Sequence, residues 1–396
     1  MSNASAKPTS RFNAYMALTM ATIAMIVCFM AWSNFAPLAG QVATMFHLSV
    51  SERTLLLATP VLLGSILRIP MGIFSDKYGG KKVYILLMIF ILIPLFMITK
   101  VHTFGMLLVA ALFVGMAGTS FAVGVSYASA WFPAEKQGLA LGIVAMGNMG
   151  NAVAALTLPW ISKSQGFNMV YYTLMILTVI MIVLFAIFCR EMPVDKSKTM
   201  LGALSVVKES STWYLSLFYF LTFGLFVSFS NLTPTFLTTL FGVEQIQAGL
   251  YAALFGFICT IIRPVGGALA DRYRPMSMLQ WVFIGIAAFG LLITVTFHNQ
   301  PLFIVGIVGV GLVAGFGNGV IFKMVPYVSK GNTGAVTGFV GAVGGLGGFF
   351  PPLVIGWIQS ATGSYQLGII LLVVTAIICW YALWRHFIHG DVHIVQ

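Results

Sequence analysis

Two arginines lie inside long hydrophobic stretches and open the same short phrase. The first phrase runs from Arg68 to Tyr78, and the second runs from Arg263 to Tyr273, 195 residues further along the chain. A charge in the hydrocarbon core of a membrane is costly, so intramembrane arginines mark candidate functional sites. A guanidinium can donate two parallel hydrogen bonds to a planar oxyanion, and it keeps its proton at neutral pH. The repeated phrase therefore predicts an anion-binding site between two related halves.

The acidic residues offer these arginines no obvious partner. All nine map to loops or to the ends of hydrophobic stretches: Glu52, Asp76, Glu135, Glu191, Asp195, Glu209, Glu244, Asp271 and Asp391. Two buried cations without a protein counter-ion are unfavourable, so the natural partner is a bound anion. This distribution argues against a cationic or a neutral substrate.

Lys323 is the third basic residue inside a hydrophobic stretch, and the sequence places it apart from any acid. Two placements remain open. It either faces the cavity as a third cation, or it extends its ammonium towards the headgroups near Lys330. In the cavity, desolvation would favour loss of its proton, which would allow a proton to move with the anion.

Composition identifies the fold class. Hydrophobic residues make up 59% of the chain and charged residues 7%, with a mean hydropathy of +0.99, which excludes an ordinary soluble protein. The apolar stretches are long enough to cross about 30 Å of hydrocarbon as helices, and they lack the alternation of a membrane β-barrel. We predict an all-α membrane protein with twelve spans, near 14–37, 53–75, 82–100, 103–130, 137–161, 169–189, 212–240, 246–270, 277–297, 302–328, 333–358 and 365–387.

Charge placement and a polar linker organise these spans. Most Lys and Arg residues fall on one side if both termini are cytoplasmic, which is the positive-inside bias; they include Lys7, Lys196, Lys198 and Lys330. The polar segment 191–211 separates a six-helix bundle over 1–190 from a second one over 212–396. The four cysteines lie in or at the ends of spans, and the histidines lie near span ends. We therefore expect no metal, no cofactor and no enzyme active site.

Further repeats support a duplication. Gly138 and Gly142 at the start of span 5 correspond to Gly334 and Gly338 at the start of span 11, 196 residues later. Repeats of parallel topology place a substrate site between the halves, near the middle of the membrane. Glycines at these positions allow close approach of helices.

The segment from Gly72 to Lys82 resembles the loop 2–3 signature of the major facilitator superfamily, and Gly267 to Arg274 is similar to its degenerate copy. The resemblance implies two six-helix bundles. It also implies a cytoplasmic gate built through interhelical charge pairs, with these candidate gating residues: Gly72, Asp76, Lys77, Lys81, Gly267, Asp271 and Arg272.

The chain also resembles one branch of that superfamily, the nitrate/nitrite porters. The segment from Trp131 to Gly150, with its Gly-Asn-Met-Gly motif, and the glycine-rich segment from Gly338 to Phe350 are similar to the two signatures of that branch. The resemblance implies a monomeric transporter of nitrate and nitrite in the inner membrane of a bacterium, with a role in nitrate assimilation. It implies anion contacts from Asn148 and Tyr219, and aromatic walls from Phe29, Phe121, Phe223 and Phe322.

The predicted mechanism is alternating access, in which a bound anion screens the repulsion between Arg68 and Arg263 and lets the halves close. Two facing cations hinder the return of an empty carrier, which favours nitrate/nitrite exchange. Nitrate/proton symport remains an alternative because of Lys323, and so does exchange of organic anions of the oxalate/formate type.

Overall fold

The computed structural model describes residues 11–194, 204–328 and 332–388, and this part of the chain contains helices and no strands. Twelve stretches are long and apolar enough to span a membrane, which confirms the predicted fold class. The twelve spans are Arg11–Met45, Leu55–Tyr78, Gly80–Ile98, Phe104–Ser129, Gln137–Gln165, Phe167–Phe188, Ser210–Phe241, Gln247–Ala270, Pro275–Val295, Gln300–Val328, Thr333–Gln359 and Gln366–Phe387.

Seven spans are single α-helices. Their bounds are Gly80–Ile98 (span 3), Phe167–Phe188 (span 6), Ser210–Phe241 (span 7), Gln245–Ala270 (span 8), Pro275–Val295 (span 9), Gln300–Val328 (span 10) and Gln366–Leu383 (span 12). A single π-turn, Trp384–Ile388, follows span 12.

The other five spans are each interrupted. Span 1 consists of Arg11–Trp32 and Phe35–Met45, and span 2 of Val50–Ile66 and Arg68–Tyr78. In span 4 a 3₁₀ segment, Gly115–Thr119, separates Phe104–Val114 from Ser120–Ser129. In span 5 another, Met146–Met149, separates Gln137–Ala145 from Gly150–Gln165. Span 11 consists of Thr333–Leu346 and Phe350–Thr362. The hydropathy pattern did not predict these breaks.

Spans from the two predicted halves meet in two equivalent places. Span 2 packs against span 11, where a Cβ on Gly338 would lie 3.0 Å from Cα of Ile69. Span 5 packs against span 8, where a Cβ on Gly142 would lie 2.7 Å from Cα of Pro264. Because no side chain separates the backbones, the repeated glycines bring the arginine-bearing spans 2 and 8 directly against their partners.

The prediction of two bundles joined by a linker over 191–211 stays a prediction, because residues 195–203 lie outside the described part of the chain. Lys7, Lys196, Lys198 and Lys330, which contributed to the predicted orientation, also lie outside it. We call the end of the molecule that carries Asp76 and Asp271 the gate end.

Candidate anion-binding site

Arg68 is the first residue after the break in span 2, and its side chain is fully buried, with 0% exposure. Its guanidinium is held by two backbone carbonyls. Nε donates to the carbonyl oxygen of Gly118 at 3.1 Å, and Nη1 donates to that of Gly341 at 2.7 Å. Gly118 lies in the 3₁₀ segment of span 4, whereas Gly341 belongs to span 11 in the other half. Arg68 therefore ties the two halves together and keeps only Nη2 without a hydrogen-bond partner.

Arg263 is equally buried, with 1% exposure, but its guanidinium is not anchored in this way. Its Nε, Nη1 and Nη2 all lack a hydrogen-bond partner. Among the described residues, no carboxylate oxygen lies within 4.0 Å of either arginine. Neither side chain extends to the surface, so the two arginines form a buried, positively charged centre with four nitrogen atoms available to an anion.

Aromatic rings surround this centre. Cζ of Arg68 lies 5.2 Å from the centroids of both Phe121 and Phe223, and Cζ of Arg263 lies 5.5 Å from the centroid of Phe223. Phe322 packs edge-on against Phe121 at 5.0 Å and against Tyr219 at 4.8 Å. The negative faces of the rings partly offset the buried positive charge, and the rings exclude water. The structure thus brings together three of the four predicted aromatic residues around the arginines.

The other predicted contacts are also buried. The Tyr219 hydroxyl is fully buried beside both guanidiniums. Asn148, in the 3₁₀ segment of span 5, is buried with both polar side-chain atoms unpartnered. Phe29 packs its ring on Trp32, with centroids 5.1 Å apart, and borders the Gly150 backbone. Its contacts connect spans 1 and 5.

Two further residues were missed from the sequence. Phe226 lies 5.2 Å from Cζ of Arg263, and it follows Tyr219 and Phe223 at helical spacing on span 7. That spacing was a usable signal. Asn318 of span 10 is 1% exposed and, like Asn148, has neither its donor nor its acceptor satisfied.

Both aspartates of the repeated phrase bind backbone N–H groups across the halves. Oδ2 of Asp76 accepts from the N–H groups of Gly334 and Ala335 at 2.9 and 3.3 Å. In the equivalent contact, Oδ1 of Asp271 accepts from the N–H of Gly138 at 3.0 Å, and Oδ2 accepts from that of Leu139 at 2.9 Å. Each carboxylate therefore caps the first turn of a helix in the opposite half, where unpaired N–H groups and the helix dipole favour a negative charge.

The two caps differ in their third partner. Ser126 Oγ donates to Oδ1 of Asp76 at 2.8 Å, whereas Lys323 Nζ lies 2.7 Å from Oδ1 of Asp271. Lys323 is 3% exposed, and its ammonium also lies 5.4 Å from the ring of Tyr327. The expectation that Lys323 sits apart from any acid is therefore wrong. Asp271, a predicted gating residue at the end of span 8, is within reach of Lys323 because spans 8 and 10 are packed together.

The remaining basic residues of the predicted gate have other contacts. Lys81 Nζ donates to the carbonyl oxygens of Ala186 and Cys189 at 2.8 and 2.7 Å, so it caps the end of span 6 within the first half. Lys77 lies 5.5 Å from the Tyr78 ring, and Arg272 is exposed. The cross-half contacts of Asp76 and Asp271 thus use backbone donors in addition to any charge pairs at this end.

Comparisons with known proteins agree with this arrangement. The chain is 37% identical over 363 residues to a protein named probable nitrate transporter NarT from Staphylococcus epidermidis, covering 91% of this chain and 93% of the relative. It is 36% identical over 358 residues to the nitrite extrusion protein of Bacillus subtilis, covering 90% of each.

Among solved structures, the human organic anion transporter MFSD10 (TETRAN) matches with a TM-score of 0.77 at 15% identity, over 93% of this chain and 99% of that one, which shows a shared fold. Residues 21–352 match the family model described as Major Facilitator Superfamily. Together with the twelve spans, these matches confirm a membrane transporter and not an enzyme, and the chain belongs to the major facilitator superfamily.

Proposed function

We propose that this protein is a secondary transporter that moves nitrate and nitrite across the membrane by alternating access, in obligatory exchange. The observation that carries the proposal is the buried centre itself. Arg68 and Arg263 are shielded from solvent and lack a carboxylate partner among the described residues. Together they have four nitrogen atoms without a hydrogen-bond partner. A buried charge of this kind is stable only with a counter-ion, and an anion supplies it.

The chemistry of the centre favours a small planar oxyanion. Arg263 can offer two parallel N–H donors, and the nearby rings of Tyr219, Phe223 and Phe322 leave a compact, apolar surrounding. A weakly hydrated anion such as nitrate or nitrite loses less on entering it than sulfate or phosphate does. The names of the relatives from Staphylococcus epidermidis and Bacillus subtilis point to the same two anions, in preference to oxalate and formate.

Closure at the gate end supports an alternating-access cycle. The Asp76 and Asp271 caps join the halves there, and Arg68 joins them at the centre through Gly341. The arginines are also inaccessible from the opposite end. We assign the gate end to the cytoplasm, the bundles to 1–190 and 212–396, and the protein to the inner membrane of a bacterium as a monomer. Opening towards the cytoplasm then requires release of both caps.

Exchange is favoured over proton symport by the placement of Lys323. Its ammonium is paired with Asp271 at the gate end, so it is not positioned beside the anion as a proton carrier. Without an anion, the centre holds two like charges among aromatic rings. Return of the empty carrier therefore has a higher barrier than return with a second anion.

Counterflow in proteoliposomes tests this function. Purified protein should take up labelled nitrate when nitrite or nitrate is trapped inside, and should take up little when a pH gradient is the only driving force. Oxalate and formate inside should support little uptake. Uptake driven by the pH gradient alone would replace exchange by symport, and uptake supported by oxalate and not by nitrite would replace the substrate class.

A further inference from the structure

Asn318 is the buried polar residue that the proposed site has not yet explained. Its side chain is 1% exposed, and neither Oδ1 nor Nδ2 has a hydrogen-bond partner. Burying an amide without hydrogen-bond partners is unfavourable, so such a residue is expected to find partners in some state of the protein. Asn148, in the signature segment of span 5, is in the same condition.

The neighbours of Asn318 on span 10 fix the direction of its side chain. A Cβ on Gly319 would lie 2.8 Å from the backbone N of Gly267, so this side of the helix faces span 8 next to Arg263. A Cβ on Gly311, two helical turns before Asn318, would lie 2.8 Å from the ring of Phe255 on span 8. Residues seven apart lie on nearly the same side of a helix and consecutive ones differ by about 100°, so Asn318 points towards span 8 on the side that adjoins Gly319.

The guanidinium of Arg263 extends from span 8 towards span 7. Its guanidinium is 5.5 Å from the Phe223 ring and 5.2 Å from the Phe226 ring, both on span 7. Phe322, one helical turn after Asn318, shares its face and contacts Tyr219. Asn318 thus faces the arginine whose three nitrogen atoms are all unpartnered.

We infer that Asn318 is an anion-binding and positioning residue of the site: Oδ1 accepts a hydrogen bond from Arg263, and Nδ2 donates to the bound oxyanion. This inference rests on the proposed function. It satisfies both orphaned atoms of the amide, because an oxyanion without protons can only accept hydrogen bonds and a guanidinium can only donate them. It also fixes which edge of the Arg263 guanidinium remains for the anion, so the amide contributes to selection of nitrate and nitrite.

The substitution Asn318→Asp separates this role from simple packing, because it preserves size and adds a carboxylate. Next to Arg263, the carboxylate would act as a built-in counter-ion. We expect the thermal unfolding midpoint of the purified protein without nitrate to be equal to or above that of the wild type. We expect nitrate affinity, measured by titration of the unfolding midpoint, to fall by at least about tenfold, and that of Asn318→Leu to fall about tenfold through loss of the donor.

Asn34→Asp is the matched control. Asn34 is also a fully buried amide, but its Nδ2 donates to the carbonyl of Ala31 and its Oδ1 accepts from the Tyr171 hydroxyl. A carboxylate there lacks a nearby arginine among the contacts of this amide, so the unfolding midpoint should fall while the folded protein keeps its nitrate affinity.

Two results would overturn the inference: a drop in unfolding midpoint for Asn318→Asp as large as that for Asn34→Asp, or nitrate affinity within twofold of wild type in both Asn318 variants. These results leave the proposed function intact. Absence of any nitrate effect on the wild-type protein, with sulfate as the comparison anion, would instead remove the proposed function itself.

Discussion

The two arginines occupy equivalent places in the repeat, yet the structure predicts different consequences for replacing each by lysine. Arg263 has Nε, Nη1 and Nη2 available, so it can donate two parallel hydrogen bonds to a planar anion. Lysine keeps the charge but is a point donor without the planar fork. Loss of one charge-assisted hydrogen bond of about 1.5–3 kcal/mol should weaken nitrate binding by about 10- to 150-fold in Arg263→Lys.

Arg68 spends two of its three nitrogen atoms on carbonyl oxygens, at Gly118 and at Gly341 across the halves. A lysine there cannot reach both carbonyls and the anion. We expect Arg68→Lys to lose less nitrate affinity than Arg263→Lys, because only one nitrogen atom of the wild-type side chain is available to the anion. Its counterflow rate should nevertheless be abolished, since the cross-half contact that accompanies closure is lost.

Nitrate titration of the unfolding midpoint measures affinity, and counterflow measures turnover. Arg263→Lys should mainly lose affinity, whereas Arg68→Lys should lose turnover more than affinity. Arg53→Lys is the control, because Arg53 is exposed at the start of span 2. Wild-type affinity and near-normal transport in Arg263→Lys would refute the role of the guanidinium fork. A larger loss of affinity in Arg68→Lys than in Arg263→Lys would refute the division of roles.

Three other substitutions probe the gate and the aromatic rings. Gly138→Ala adds a methyl group that would lie 2.5 Å from the carboxylate of Asp271, so the variant should hold the gate end open and stop counterflow. Gly249 has open space around it, so Gly249→Ala should leave the counterflow rate unchanged, and equal rates in the two variants would contradict this prediction. Asp271→Asn removes the carboxylate beside the buried ammonium of Lys323, and thermal unfolding should show a loss of stability of about 3 kcal/mol. The double variant with Lys323→Met should recover most of that loss, and a further loss of stability would argue against the ion pair. Phe223→Leu removes a ring that lies within 5.5 Å of both guanidiniums. Without nitrate, the stability of the variant should fall by about 1–2 kcal/mol, measured from its unfolding midpoint, and nitrate should restore part of it. An unchanged midpoint would exclude a stabilising role for the ring.

Much of the fold follows from the sequence because each span is an independent hydrophobic segment. Length and apolar character predict twelve helices, and the repeated phrase predicts that Arg68 and Arg263 share one centre. The aromatic residues Phe121, Phe223 and Phe322 could be expected there only through the resemblance to a family, because phenylalanine is common throughout these spans.

The missed features depend on contacts between spans, which hydropathy does not encode. The 3₁₀ break in span 4 places the Gly118 carbonyl against Arg68, and that contact makes the two arginines inequivalent. Asp271 and Lys323 are 52 positions apart in the sequence, and they meet only if spans 8 and 10 pack in a particular register. Asn318 was overlooked because a single amide in an apolar helix carries no periodic signal, and only its lack of partners in the packed molecule distinguishes it.

The two arginines of the repeat have different contacts, and this asymmetry suits a carrier for a monovalent anion. Arg68 is anchored to carbonyl groups, whereas the nitrogen atoms of Arg263 lack hydrogen-bond partners, so we expect Arg68 to hold the halves and Arg263 to bind the anion. Nitrate or nitrite neutralises only one of the two positive charges. The ring faces of Phe121, Phe223 and Phe226, together with the carbonyl groups that Arg68 contacts, partly stabilise the other. Loss of the anion returns the centre to two unneutralised charges in surroundings that can compensate only part of one. In the proposed exchange cycle, a closed and empty carrier is therefore the least favourable state, and binding of a second anion avoids it.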